Sequence, residues 1–464
     1  MREALKRLPA LVSVLALLAG CGLDVPDTEM PPSSVVSTLE PVGERLNRES
    51  YEGEEAQKEE ALESYSSADG RCVIEKKPSY YEVYLDYSDG DYQATGKAYA
   101  ETILSLGLDF SAVLEPYLFE NIDGAFPNLD GDYTPVVERI NELKKNIPDE
   151  YVKEMEGFAE TISGGKRGME SDGIISYEEA LLMHMVPDCL RDTNCNALSV
   201  WGEKSVTGER IVSRTMEWPM GSEYQMCTAH AVTHFNMGGD KNSYSSFAVL
   251  GMLDMLTGLN DKGVFAGILD AGTLLDYSCD GKKCYSYELR YALENLPDAR
   301  SVGEYMVAES KNFTFSHNII ITDKKDCFVA EDCVDDSGEI SSKSTLRDKD
   351  TPLMEDIVWD NPDSLCVVNA FVTEGSDDHF SGVGSNYLRF CKYNAWVGEK
   401  EKMSPADIKG IVTRENTEWD TNFQKIYSEN VYHVIIYDYA TGELDICFTG
   451  TEGIVDHPKF VRIL

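Results

Sequence analysis

Apolar and polar positions along the chain follow two rhythms, and the change from one to the other falls near the middle. After an alternating, strand-like run in "SYYEVYLDYSDG", the first half turns to helical spacing. Helices are predicted over Gly96 to Leu106, in "YTPVVERINELKKNI" and in "PDEYVKEMEGFAETISGG". Pro148 suits the first turn of the last of these, and the Gly164-Gly165 pair ends it. In "SDGIISYEEALLMHM", Ser176 and Glu179 have the spacing of a capping box. The same stretch is similar to half of a calcium-binding loop, but Gly168 occupies the first ligand position, so no calcium site is expected.

From Cys195 onward the rhythm shortens. "CNALSVWG", "ERIVSRTMEW", "MCTAHAVTHF", "SYSSFAVLGML" and "GVFAGILDA" are brief alternating or apolar runs between turn-forming residues. Helical spacing returns in "YSYELRYALENL" and "SVGEYMVAES". Strands follow in "HNIIITD", "DCFVAED" and "DSLCVVNAFV", and a final hairpin turns at Ala440-Thr441-Gly442. Blocks of strands with helices between them predict a layered α+β domain.

The N-terminus adds an address. A basic start (Arg2, Lys6, Arg7), an apolar run from Leu8 to Leu18 and small residues after it have the layout of a secretory signal over residues 1–20. Leu18-Ala19-Gly20-Cys21 resembles a bacterial lipobox, which makes Cys21 the expected lipidation site and membrane anchor. Residues 21–75, rich in Pro, Ser and Glu, read as an acidic flexible linker. The expected location is therefore the exported face of a bacterial cell envelope. A net charge of −41 over 464 residues excludes nucleic acid as a partner, because a phosphate backbone would be repelled. Export would permit disulfides among the 12 cysteines, and Cys279/Cys284 and Cys327/Cys333 are close enough in sequence to close small loops.

Cys195 is the candidate nucleophile. A thiol needs a base, yet none of the seven histidines lies in a recognisable catalytic neighbourhood. His230 and His234 lack the glutamate of a zinc-protease motif, and neither a metal nor another cofactor is expected. Cleavage of the Asn194–Cys195 bond would supply a different base. The freed α-amine, with a pKa of about 7.7–8.0, would stand beside its own sulfur.

"CNALSVWGEKSVTGERIVSRTMEWPMG" resembles the start of the mature chain in the N-terminal nucleophile (Ntn) cysteine hydrolases of the acyl-CoA:6-aminopenicillanate acyltransferase and choloylglycine hydrolase group. The resemblance implies that Arg214 lowers the thiol pKa and that Glu217, where the family has Asp, orients the α-amine. "LTGLNDKGVFAGILDAG" is similar to the family's Gly-x-Asn-x-x-Gly hairpin. Asp270 stands where one branch has an oxyanion-hole Asn, a weaker, substrate-proximal candidate. "CVVNAFV" places Asn369 as donor to the acyl oxygen, and "GSNYLRFCKYNAW" places Arg389 near the active site. The resemblance runs from about Tyr80 to Gly450.

It implies a four-layer αββα sandwich, with a mainly helical pro-segment at 76–194 and a catalytic region at 195–464, the two packing as one domain. The expected activity is autoprocessed amidohydrolysis or acyl transfer on a non-peptide N-acyl compound through a Cys195 thioester. A bile-salt or N-acyl-lactone type amidase, or a non-catalytic lipoprotein that keeps the fold as a binding module, are the alternatives.

Overall fold

The computed structural model describes residues 53–190, 194–271, 277–334, 343–355, 357–376, 384–414, 424–455 and 458–464. The alternating segments assemble into two sheets. One orders β1 (Gln57–Lys58), β17 (Val461–Arg462), β16 (Glu443–Phe448), β15 (Val431–Asp438), β6 (Ile211–Glu217), β5 (Asn194–Val200) and β14 (Ser364–Val367). The other begins at its far edge with β13 (Thr345–Arg347), β12 (Cys327–Asp332), β11 (His317–Thr322) and β10 (Phe265–Asp270). It continues through β9 (Thr257–Asn260), β8 (Tyr244–Val249) and β7 (His230–Met237) to β4 (Tyr81–Tyr87), β3 (Cys72–Lys76) and β2 (Glu63–Ser66).

Each sheet has one face against the other sheet and one against helices. The sheets meet where β5 packs on β10 and β14 on β12. Helices α1 (Tyr92–Ser105), α7 (Tyr285–Asn295) and α8 (Ala299–Glu309) cover the ten-stranded sheet. The seven-stranded sheet is covered by α9 (Gly384–Gly398) and α10 (Pro405–Val412). The architecture is the expected four-layer αββα sandwich. Both faces of its central strands are buried, which is why strands such as β10 and β15 are mostly apolar.

Four first-half helices form where their spacing predicts, α1, α3 (Thr134–Lys144), α4 (Asp149–Ile162) and α5 (Tyr177–Met183), and two more, α2 (Phe110–Ala125) and α6 (Val186–Leu190), were not expected from the sequence. The Asp91 side chain caps α1 by accepting from Ala94 N, which starts that helix four residues before Gly96. Ser176 and Glu179 make the reciprocal capping box at α5. α1 and α4 cross closely at Gly96 and Gly157, where a Cβ on either would fall on a backbone carbonyl, of Glu154 and Gln93 respectively.

Two expectations change. The stretch read as linker holds three strands, β1 to β3. Cys72 and Ile74 alternate into the core, and β3 pairs with β4, so this part of the chain buries enough to fold. β4 in turn pairs in parallel with β7 over seven positions, from Tyr81 opposite Ala231 to Tyr87 opposite Met237. The eleven described cysteines are free thiols, and Cys21 lies outside the described residues. Cys327 opens the extended strand β12 and Cys333 follows its last residue, so the two are separated by roughly 20 Å at about 3.3 Å per residue, far beyond disulfide reach. Cys279 and Cys284 are likewise unbonded.

Beneath the helices lies a buried charge network. The Arg290 guanidinium on α7 donates to both Glu154 oxygens on α4 and to Tyr244 Oη on β8, and its Cζ lies 4.3 Å from the Tyr151 ring centroid. Glu294, one turn further along α7, accepts from Tyr92 and Tyr151 at 3.0 Å each. Both carboxylates and the guanidinium are out of contact with solvent, so the network fastens the helices that precede Cys195 to one that follows it.

Candidate active site

Strand register brings the first two candidates together. β5 and β6 run antiparallel with Cys195 opposite Met216 and Ala197 opposite Arg214, so Cys195 and Arg214 share the face that looks at the other sheet. Arg214 reaches across the gap. Its Nη2 donates to Cys195 Sγ at 3.1 Å and to the Ile268 carbonyl on β10 at 2.8 Å. Gly267 makes this crossing possible, since a Cβ there would sit 2.9 Å from the Arg214 side chain. Nε and Nη1 of Arg214 have no hydrogen-bond partner among the described residues.

The second cluster surrounds the Cys195 backbone. Its N–H donates to Asn369 Oδ1 at 2.9 Å. Arg389, on α9, donates to the same oxygen from Nη2 at 2.7 Å and to Glu217 Oε2 from Nη1 at 3.0 Å. A longer bond of 3.4 Å runs from Nη1 to the Cys195 carbonyl. Glu217 ends β6 opposite Asn194, and the Arg389 Nη1 that holds its Oε2 is the one that reaches the Cys195 carbonyl. Ser428 donates to its other oxygen.

Cys195, Arg214, Glu217, Asn369 and Arg389 therefore form one connected site, all buried. Asn194 is the first residue of β5. Asp270 joins differently from the expectation. Its backbone carbonyl accepts from Asn369 Nδ2 at 2.6 Å. Alternation along β10, with Gly267 turned toward Arg214, puts the Asp270 side chain on the helix-covered face. Asn369 bonds on both sides. Its oxygen holds the Cys195 nitrogen, and its amide is engaged with Asp270.

Burial dominates the electrostatics. It pushes the Cys195 thiol up, against the pull of the Arg214 charge and of a hydrogen bond to the Glu217 backbone. It raises the Glu217 carboxyl, opposed chiefly by the Arg389 charge and then by the Ser428 hydrogen bond. It also lowers Arg214, which the charges of Cys195 and Glu217 offset in part. Three buried groups from one hairpin are thus held in the same low-dielectric space.

Three further residues shape the site without having stood out in the sequence. Asn386, one turn before Arg389 on α9, donates from Nδ2 to the Asn369 carbonyl at 2.9 Å and accepts from Arg389 Nη2. Its only signal is the (i, i+3) spacing to Arg389. Ser428 gives no local signal. His433, opposite Met216 on β15, is buried with Nε2 unpartnered among the described residues, and burial drives its pKa well below the ordinary value. His230 and His234 are each engaged locally, with the Thr449 carbonyl at 2.7 Å and with Ser245 Oγ at 2.8 Å. Among the described residues no three His, Cys, Asp or Glu side chains converge as metal ligands.

No protein-family model matches the chain, and no curated protein matches it. Solved structures do. A Caenorhabditis elegans ortholog of N-acylethanolamine-hydrolyzing acid amidase is 13% identical with a TM-score of 0.35, over 52% of this chain and 92% of its own. A variant of the conjugated bile acid hydrolase from Clostridium perfringens is 12% identical at 0.36, over 58% and 92%. The penicillin V acylase from Agrobacterium tumefaciens is 12% identical at 0.30, over 55% and 83%. The layer assignment stands on the strand order and packing of this chain itself.

Proposed function

We propose that the chain is an Ntn-type cysteine amidohydrolase that cuts itself before Cys195 and then hydrolyses a non-peptide N-acyl amide. One observation carries this reading. The two atoms of Cys195 that such chemistry needs are both held, Sγ by Arg214 at 3.1 Å and N by Asn369 Oδ1 at 2.9 Å.

In the intact chain that nitrogen is an amide and has no basic lone pair. Attack of Sγ on the Asn194 carbonyl carbon forms a thioester and breaks the C–N bond, leaving the nitrogen as an amine in the same place. Water then hydrolyses the thioester. In turnover the amine accepts the thiol proton, and Sγ attacks the substrate carbonyl. The leaving amine departs with that proton, and water resolves the acyl-thioester.

Arg214, whose Nη2 donates to Sγ and whose Nε and Nη1 have no partner among the described residues, stabilises the thiolate. Glu217 and Asn369 orient the amine, and Arg389 holds both. Water is the acceptor we favour over an acyl-accepting amine, because an acyl-CoA pool is not expected outside the cytoplasm. Lipidation at Cys21, export and a membrane-surface location belong to the same proposal, supported by residues 1–21 of the sequence.

The test is the intact mass of purified protein. A break between Asn194 and Cys195, abolished in Cys195→Ala, is the expected result. A chain that stays whole and releases no amine from N-acyl amides points to the alternative, a binding module on the same fold.

A further inference from the structure

Asn369 sits in a segment, residues 368–373, that continues beyond the end of β14. Two polar residues on the facing sheet grip it from either side. Asn318 on β11 and Glu331 on β12 are opposite one another in register, both buried. Asn318 Nδ2 donates to the carbonyls of Val368 and Ala370 at 2.9 Å each, the two neighbours of Asn369. Glu331 accepts from the backbone N–H groups of Val372 at 3.1 Å and Thr373 at 3.2 Å. Arg347 on β13 backs this pair, donating to Glu331 Oε1 and to the Cys366 carbonyl at 2.9 Å each.

A carboxylate and an amide between two sheets are costly to bury unless their bonding is complete. Asn318 Oδ1 has no partner among the described residues, and apart from the Arg347 contact the hydrogen bonds these two side chains make all go to one short stretch of backbone. We propose that Asn318 and Glu331, with Arg347 behind them, are positioning residues. By clamping the backbone on both sides of Asn369 they aim its Oδ1 at the Cys195 nitrogen. The inference rests on the function proposed above, in which that nitrogen becomes the base.

The experiment uses the full chain as wild type, Asn318→Leu and the charge-balanced double variant Glu331→Gln/Arg347→Met. Asn318→Ala serves as the fallback if either fails to fold, as judged by circular dichroism and thermal melting. The readouts are self-cleavage by intact mass and steady-state hydrolysis of an N-acyl p-nitroanilide. In folded variants kcat is expected to fall about tenfold to a hundredfold, with self-cleavage slowed and KM held within about twofold, because misaimed groups lose rate and not binding. Folded variants with unchanged kcat, or with loss confined to KM, overturn the clamp while the wild type's activity upholds the functional reading. A wild-type chain neither cut nor active overturns the functional reading, and the clamp's role with it.

Discussion

At the scale of residues, the site is a set of buried groups made tolerable by pairing, and each pairing has a measurable consequence. Arg214→Lys would keep a positive charge but lose the planar fork that touches Cys195 Sγ and the Ile268 carbonyl together. Alkylation of Cys195 in this variant is expected to require higher pH than in wild type, followed by mass against pH. Gly267→Ala should impair the same interaction from the opposite strand, since its Cβ would occupy the space Arg214 crosses. Remote from the site, His184 is buried with both ring nitrogens unpartnered among the described residues, and burial drives its pKa down to about 3. Its stability contribution is intact above the unfolded-state value of about 6.5 and is lost as pH falls toward the folded value. Between those limits wild type should lose about 1.4 kcal/mol per pH unit relative to His184→Leu, read by denaturant titration at several pH values. A constant difference between the two would refute the assignment. Cys195, Arg214 and Glu217 were legible because they lie within one hairpin of sequence. Ser428, Asn386 and the Asn318–Glu331 pair were not, since each acts through a partner that only the tertiary structure brings near.

At the scale of elements, spacing located most helices and strands, because packing followed the same period that local propensity favoured. It missed the strands before residue 76. Those are short, lie among acidic residues, and become worthwhile only when β3 finds β4 and β4 finds β7. The close crossing of α1 and α4 was equally hidden, as a lone glycine in a helix gives no hint of what approaches it. Gly96→Ala and Gly157→Ala should each destabilise the protein, by about 1–3 kcal/mol or more where the backbone must move. Breaking the Arg290–Glu154 pair with Glu154→Ala should cost about 3–5 kcal/mol, because it strands a buried guanidinium. Chemical denaturation would measure both, and a loss under 1 kcal/mol for Glu154→Ala would show that the Arg290–Glu154 pair does not hold these helices together.

At the scale of the whole molecule, charge and topology set the behaviour. A net charge of −41 repels itself in a chain where Asp and Glu outnumber Lys and Arg two to one, 82 against 41. The thermal midpoint should therefore rise with sodium chloride from low ionic strength toward about 0.15 M, where the screening length falls to about 8 Å. A midpoint indifferent to salt would show that the acidic groups are neutralised by local pairing. Topology carries a different consequence. β4 comes from the chain before Cys195 and lies within a sheet whose neighbouring strands, from β7 onward, come from the chain after it. While the chain is whole, finding that register is an intramolecular search, independent of how much protein is present. Once the bond before Cys195 is cut as proposed, the same seven positions must be found by two molecules meeting in solution. Recovery from denaturant would then slow with dilution, so the protein's life as a folded enzyme would depend on the order in which it was made: folded first, cut second.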